Sequence, residues 1–257
     1  MVAVTRAGAV GLLELNRPGK FNALRRKDFL ELADGMDAFE RPGSGVRAVL
    51  LHADGDHFCT GGDLAEAKSM LGDSAELDGF LRLVHATLAR LSGSPLPVVA
   101  ACQGMALAGG LELLLCCDVV FAADNARFGD QHVQYGLVPA WGATQRLPRV
   151  VGPNRALDLM YSGRRIDAPT ALQWGLASYV VPVAELAAAA LEYCETLAER
   201  SRPALTAMKS LCRASSEEPL ETGLRLEREA VLRAMAGPDP AEGIAAFTER
   251  RPPRFIG

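Results

Sequence analysis

An α/β fold closing in a helical C-terminal region is predicted by three observations. Short apolar strand candidates alternate with helical stretches through the first half of the chain. Those strands lack polar alternation, which argues for a sheet covered on both faces. Near residue 200 the pattern changes from mixed to helical. The change is read as a core over 1–200 continued by helices over 201–257, one structural unit and not two independent domains.

Taken in order, Val2–Thr5 and Val10–Leu15 predict a hairpin across Arg6-Ala7-Gly8, followed by the turn Arg17-Pro18-Gly19. From Asn22 a helical period places Phe29, Leu32, Met36 and Phe39 on one stripe, and Arg41-Pro42-Gly43 ends it. Val46–His52 is a buried strand. The turn Thr60-Gly61-Gly62-Asp63 leads into helices over Leu64–Leu71 and Leu77–Leu91. Pro95 and Pro97 introduce the strand Val98–Cys102. The stretch Gly104 to Gly110 then opens a helix over Leu111–Cys116, and Asp118–Ala123 is a third apolar strand. Pro153 and Gly163 bracket a further helix. Ala184–Glu199, Pro203–Arg213, Leu220–Ala236 and Pro240–Arg250 complete the helical part.

Composition supports a globular chain and narrows its partners. At 257 residues, with 49% hydrophobic and 23% charged side chains, a large core is available and extensive disorder is excluded. The net charge of −4 and only four lysines argue against a nucleic-acid surface. No apolar run reaches the roughly 20 residues of a membrane span; Val98 to Ala123 is broken by Gln103, Glu112 and Asp118. Six cysteines, mostly inside apolar runs and without a CxxC or zinc spacing, read as reduced thiols in a cytoplasmic protein.

The glycines carry the first chemical signal. Gly104 and Gly109 have the spacing of a phosphate-binding loop, but Gly110 and Leu111 stand where Lys and Ser or Thr belong, so that reading fails. What remains is a strand-to-helix turn whose amides favour a negative oxygen, with tight helix–strand packing as the alternative. Gly61-Gly62 makes a second turn of the same kind. Two amides converging from two such turns form an oxyanion hole. Glu112 lies in an otherwise apolar stretch, where burial raises a carboxyl pKa toward that of a useful base; an outward-facing helix glutamate is the alternative.

Taken together, Asn16-Arg17-Pro18, Asn22-Ala23-Leu24, Phe58 to Leu64, Pro97 to Leu113, Cys117-Asp118, Phe128-Gly129, Gly136 to Pro139 and Gly142 to Leu147 resemble the crotonase superfamily. So do Ala171, Gly175-Leu176-Ala177 and the closing Phe247 with Arg250-Arg251-Pro252. The resemblance implies a crotonase-like spiral of ββα units with a helical C-terminal trimerisation region, as a homotrimer or a dimer of trimers. It implies an acyl-CoA substrate and no separate cofactor or metal, coenzyme A being part of the substrate. By position, Gly62 and Gly109 supply the oxyanion amides and Glu112 is one of two catalytic acids. Ala23, Arg25, Gly61, Asp63, Leu64, Pro139 and Trp141 fall at substrate or CoA contacts.

Two departures stand out. The second acid follows Phe-Gly-x-Pro in the family, whereas here Phe128-Gly129-Asp130-Gln131 leads to His132. Trp141 stands where a small residue is usual; an indole there narrows the acyl pocket, stacks on an unsaturated or cyclic acyl group, or packs plainly. The expected reaction is hydration or dehydration of a 2-enoyl-CoA/3-hydroxyacyl-CoA pair. Enoyl-CoA isomerisation, thioester hydrolysis and acyl-CoA binding without turnover are the alternatives.

Overall fold

The computed structural model describes residues 1–255. Its strands are β1 (Val2–Ala7), β2 (Val10–Leu15), β3 (Ala48–Ala53), β4 (Val98–Cys102), β5 (Met105–Leu107), β6 (Val119–Ala123), β7 (Arg127–Gly129), β8 (Ile166–Asp167) and β9 (Tyr179–Val181). They form a six-stranded sheet ordered β1-β2-β3-β4-β6-β9 and a three-stranded sheet ordered β5-β7-β8. The β1–β2 pair is antiparallel and the rest of the large sheet is parallel.

The apolar, non-alternating strands lie where the sequence places them, in a sheet buried on both faces. On one face Val49, Leu51, Val98, Ala100, Cys102 and Ala122 join the larger core. On the other, Ala48, Leu50, Val99, Ala101, Phe121 and Ala123 pack under the helix α8 (Leu186–Ala198) through Leu186, Ala190 and Cys194. Successive residues point to opposite faces, so a strand apolar at every position needs cover on both.

The helix α1 (Arg26–Glu40) buries the stripe Phe29, Leu32, Met36 and Phe39 as its period requires. It begins four residues later than predicted. Asn22, buried and in the left-handed region at φ 54°, donates to the carbonyls of Asp54 and His57 and accepts from the Arg17 amide. These bonds hold the chain in a bracket that a helical Asn22 would break. At the hairpin, Arg6 and Ala7 continue the ladder opposite Gly11 and Val10, leaving Gly8 to turn at φ 57°.

The remaining helices are α2 (Leu64–Ser69), α3 (Ser74–Gly93), α4 (Gly109–Leu114), α5 (Ala143–Val151), α6 (Pro153–Ser162), α7 (Ala168–Gln173), α9 (Arg202–Ala214), α10 (Leu220–Met235) and α11 (Pro238–Glu249). Predicted helices move at their ends by a turn or less because caps set the limits: Asp73 accepts from the Glu76 amide to start α3, and Ser201 accepts from the Ala204 amide near the start of α9. α9 is tied to the sheet by Lys209 and Arg213, both 2.7 Å from Asp118, and by Thr206 Oγ1 donating to the Pro95 carbonyl. α10 packs between α9 and α11. No described helix is long and apolar enough to cross a membrane.

Candidate active site

Two glycine turns are laced together before any side chain is considered. The Cys59 amide donates to the Met105 carbonyl and the Leu107 amide to the Cys59 carbonyl, each at 3.0 Å. Leu24 clamps the first turn from outside, donating to the Gly61 carbonyl and accepting from Asp63, both at 2.8 Å. The approach leaves no room for a side chain at Gly110, where a Cβ would sit 2.1 Å from the Cys59 oxygen.

A positive φ appears immediately before each candidate donor. Gly61, preceding Gly62, has φ 106°, and Ala108, preceding Gly109, has φ 48° with ψ −119°. A non-glycine residue in this region is held there by its surroundings. Here the Ala108 amide donates to the Gly129 carbonyl at 2.9 Å, pinning the turn to β7. The Gly62 and Gly109 amides themselves donate to no acceptor among the described residues. Both turns therefore present free N–H groups, the second at the start of α4.

Glu112 is the acid of this helix and is fully buried. Its Oε1 accepts from the backbone amides of Trp141 at 2.8 Å and Ala143 at 2.9 Å. Oε2 is buried without a hydrogen-bond partner among the described residues and lies 3.7 Å from Nε2 of His132. Burial pushes the carboxyl pKa up, outweighing the two amides and the nearby imidazole. One oxygen is thus fixed and the other is left free to take a proton.

His132 opens a 3₁₀ turn, His132–Tyr135, just beyond β7. Its Nδ1 is 2.8 Å from Oδ1 of Asp130, which also accepts from the His132 amide at 3.2 Å. Burial alone lowers the imidazole pKa; the hydrogen bond and charge of Asp130, with the charge of Glu112, overcome it and raise the pKa. The 3.7 Å gap lies within ion-pair reach but exceeds a direct hydrogen bond, so Nε2 and Oε2 face each other with neither hydrogen-bonded to the other.

Trp141 is 7% exposed and covers both turns. Its six-membered ring spans the two glycines: a Cβ on Gly109 would fall 2.0 Å from Cζ3, and one on Gly62 3.2 Å from Cζ2. Phe29 meets the indole edge-on at 5.0 Å between centroids, and Phe80 adds a second edge at 6.4 Å. Trp141 is therefore packed, and it is packed against the candidate oxyanion turns. A surface cavity of about 340 Å³ lined by His57, Gln103, Met105 and Arg127 lies elsewhere, and none of the converging residues lines it.

The other predicted residues divide. Gly61 belongs to the first turn. Asp63 caps α2 through the amides of Ala65 and Glu66, and pairs with Arg17 at 2.7 Å. That guanidinium and its hydrogen bond hold the Asp63 carboxyl below its usual range. Arg25 is turned onto Asp28 at 3.0 Å, and Asp28 also pairs with the chain's amino terminus. Arg26 pairs with Glu76 and lies over the Phe80 ring. Ala23 and Pro139 are half-buried and Leu64 is exposed. His85 is hydrogen-bonded at 2.7 Å to the carbonyl of Ala140, next to Trp141. Sequence reasoning gave Asp130 no role, although an aspartate two residues before a histidine is a local signal for a side-chain pair.

Comparison with known proteins identifies the family. Residues 5–257 match the enoyl-CoA hydratase/isomerase family. The chain is 35% identical over 254 residues to a probable enoyl-CoA hydratase, echA8, of Mycobacterium bovis, covering 99% of this chain and 97% of that protein. It is 33% identical to the mitochondrial enoyl-CoA hydratase of Pongo abelii, over 96% of this chain and 83% of that one. The crystal structure of an enoyl-CoA hydratase from Bacillus anthracis superposes with a TM-score of 0.94 at 34% identity, covering 100% of this chain and 99% of that one. With the fold, the paired glycine turns and the full-length match in agreement, the chain belongs to the enoyl-CoA hydratase/isomerase, or crotonase, superfamily.

Proposed function

We propose that the protein hydrates a 2-enoyl-CoA to the 3-hydroxyacyl-CoA and catalyses the reverse dehydration. The observation that carries this reading is the free Oε2 of a fully buried Glu112, facing His132 beside two unused amides. Glu112 takes a proton from water as its oxygen attacks the β-carbon. The electron pair of the double bond moves onto the thioester oxygen, where the Gly62 and Gly109 amides stabilise the enolate. Losing one such donor costs about 3–4 kcal/mol in other enzymes, making this the largest single contribution. His132, raised in pKa, helps hold that water or supplies the α-proton from its own Nε2–H; in the latter case the proton left on Glu112 passes to Nε2 and resets the pair. The CoA arm is assigned to the Ala23, Arg25, Asp63, Leu64 and Pro139 side, supported by the exposure of Leu64 and the partial exposure of the others. Incubating crotonyl-CoA in ¹⁸O-water tests the reaction. Label in a 3-hydroxyacyl-CoA is expected; label in free acid, or none in any product, overturns the reading.

Chain length follows from Trp141. With the indole against both turns and backed by Phe29 and Phe80, the site suits short or flat acyl groups. Trp141→Ala is expected to improve kcat/KM for an eight-carbon relative to a four-carbon enoyl-CoA by about 10-fold or more, since each buried methylene contributes about 0.8 kcal/mol. Glu112 keeps its two amides in this variant, because they belong to the backbone. Trp141→Leu, which leaves a smaller cavity, should shift the preference the same way and less far. An unchanged chain-length profile in both variants sinks the assignment.

The C-terminal helices are read as the assembly surface. Leu220, Leu224, Leu232, Met235, Ile244 and Phe247, all on α10 and α11, are more than half exposed, and large apolar side chains concentrated in this way mark an interaction surface. Residues 201–257 are inferred to be one structural unit with the core, a reading supported by the ties of α9 to Asp118 and Pro95. Sedimentation equilibrium should give three or six times the chain mass of 27.3 kDa; a single-chain mass rules the trimer out. The six unpaired cysteines, most of them buried, support a reducing, cytoplasmic setting.

A further inference from the structure

We propose that Asp130 is a positioning residue for the reaction: it holds Nδ1–H of His132 and so aims Nε2 at Oε2 of Glu112. The inference rests on the reading of His132 as the partner of Glu112. Three observations carry it. Asp130, His132 and Glu112 form one line of groups, with 2.8 Å from Oδ1 to Nδ1 and 3.7 Å from Nε2 to Oε2. Asp130 is fully buried, and its hydrogen bonds among the described residues come from His132, through the amide and the ring. Its second oxygen, Oδ2, is buried with no hydrogen-bond partner among the described residues.

The bond from the His132 amide closes a turn, but the bond to the ring and the unpartnered Oδ2 go beyond that role. The carboxylate is removed from water and half-satisfied, an arrangement that is costly unless the group faces a cation. The imidazolium of His132 is the cation in reach. A carboxylate on Nδ1 also selects the tautomer, since the proton it holds there leaves Nε2 as the atom that exchanges protons. The orientation is locked from the other side as well. Gln131, buried between Asp130 and His132 in sequence, donates its amide to the Gly163 carbonyl, as does Gln134 at 2.9 Å. Both of these groups are neutral. The charged groups acting on the ring are Asp130, from beyond β7, and Glu112, from α4.

The test uses the intact protein and two readouts. With ¹⁵N-labelled histidine, the ring signals of His132 are identified by their loss in His132→Gln. In the wild type, above its titration midpoint, the neutral ring should be protonated at Nδ1 with Nε2 bare. Asp130→Asn retains an oxygen for the His132 amide and removes the charge. It should lower the His132 midpoint, weaken the Nδ1–H preference and reduce kcat for crotonyl-CoA by about 10- to 100-fold, with KM changed less than about 3-fold. Asp130→Glu should recover part of the kcat. A wild-type ring protonated at Nε2 overturns the proposal without any variant, so it remains testable even if Asp130→Asn does not fold. A normal kcat and midpoint in Asp130→Asn, with His132→Ala inactive, overturns it and leaves His132 in its role. Wild-type activity in both Asp130→Asn and His132→Ala instead overturns the reading of His132 itself, and this inference with it.

Discussion

Glu112→Gln is expected to reduce kcat for crotonyl-CoA hydration by about 10²- to 10⁴-fold, the range a general base supplies, while acyl-CoA affinity changes little. The substitution is close to isosteric. A glutamine oxygen in place of Oε1 still accepts from the Trp141 and Ala143 amides, so the loop from 141 to 143 stays where Glu112 holds it. An amide nitrogen then replaces Oε2, and it cannot take a proton from water. Stability should move the opposite way from activity. The Glu112 pKa is raised above its ordinary 4.5 by burial, so the folded state binds more protons than the unfolded state between the two values. Wild-type stability therefore falls as pH rises from 4.5 through the folded pKa. Glutamine removes that loss, so the difference in Tm between variant and wild type should grow in the variant's favour over the same window. Near-wild-type hydration by Glu112→Gln, measured with the melting curves superposed, removes Glu112 from the mechanism.

How far the sequence carried the argument differs from element to element, for physical reasons. The buried strands were legible because a strand apolar at every position has few other places to be; Val49 and Leu50 indeed serve opposite cores. The stripe of Phe29, Leu32, Met36 and Phe39 was legible because its period is the helix's own. The small sheet was not. Met105–Leu107 and Ile166–Asp167 are too short to show any period, and they are strands only because β7 pairs with both. Within the site, the motifs predicted convergence of Gly62, Gly109, Glu112 and His132, and the geometry brings these side chains and turns together. They did not show that Arg25 is engaged by Asp28, a pair that forms only because α1 starts at Arg26, later than the period suggested, and brings residue 28 back over residue 25. Nor did they show the Asp130 bond, which forms because the chain leaves β7 and turns at once, bringing residue 132 back over residue 130.

Removal of the imidazole should be nearly as damaging as loss of the acid. His132→Ala is expected to lower kcat by about 10²-fold or more, the usual scale for a group that transfers a proton in the transition state. The pH profile separates this from a structural defect. On the acid side, activity should fall as Glu112 takes up a proton, above the ordinary carboxylate range because burial raises its pKa. On the alkaline side, it should fall as the imidazolium deprotonates, above the ordinary 6.5 because Asp130 and Glu112 together overcome burial. These limbs report the coupled pair, so each midpoint is apparent. In His132→Ala the alkaline limb disappears while the acid limb moves to higher pH, because Glu112 loses the positive neighbour that had lowered its pKa. Stability tests the same pair by linkage. A histidine raised in the folded state contributes its full stabilisation below the unfolded value of 6.5 and loses it as pH rises through the folded pKa, so the variant's deficit in Tm should shrink toward alkaline pH. His132→Glu should recover part of the hydration by restoring two carboxyls across the 3.7 Å gap. If His132→Ala matches the wild type in kcat and keeps both limbs, the imidazole is packing alone and Glu112 must move the proton by itself. A single base shuttling between two carbons is the chemistry of an isomerase, so that outcome would redirect the search from 3-hydroxyacyl-CoA to a displaced double bond.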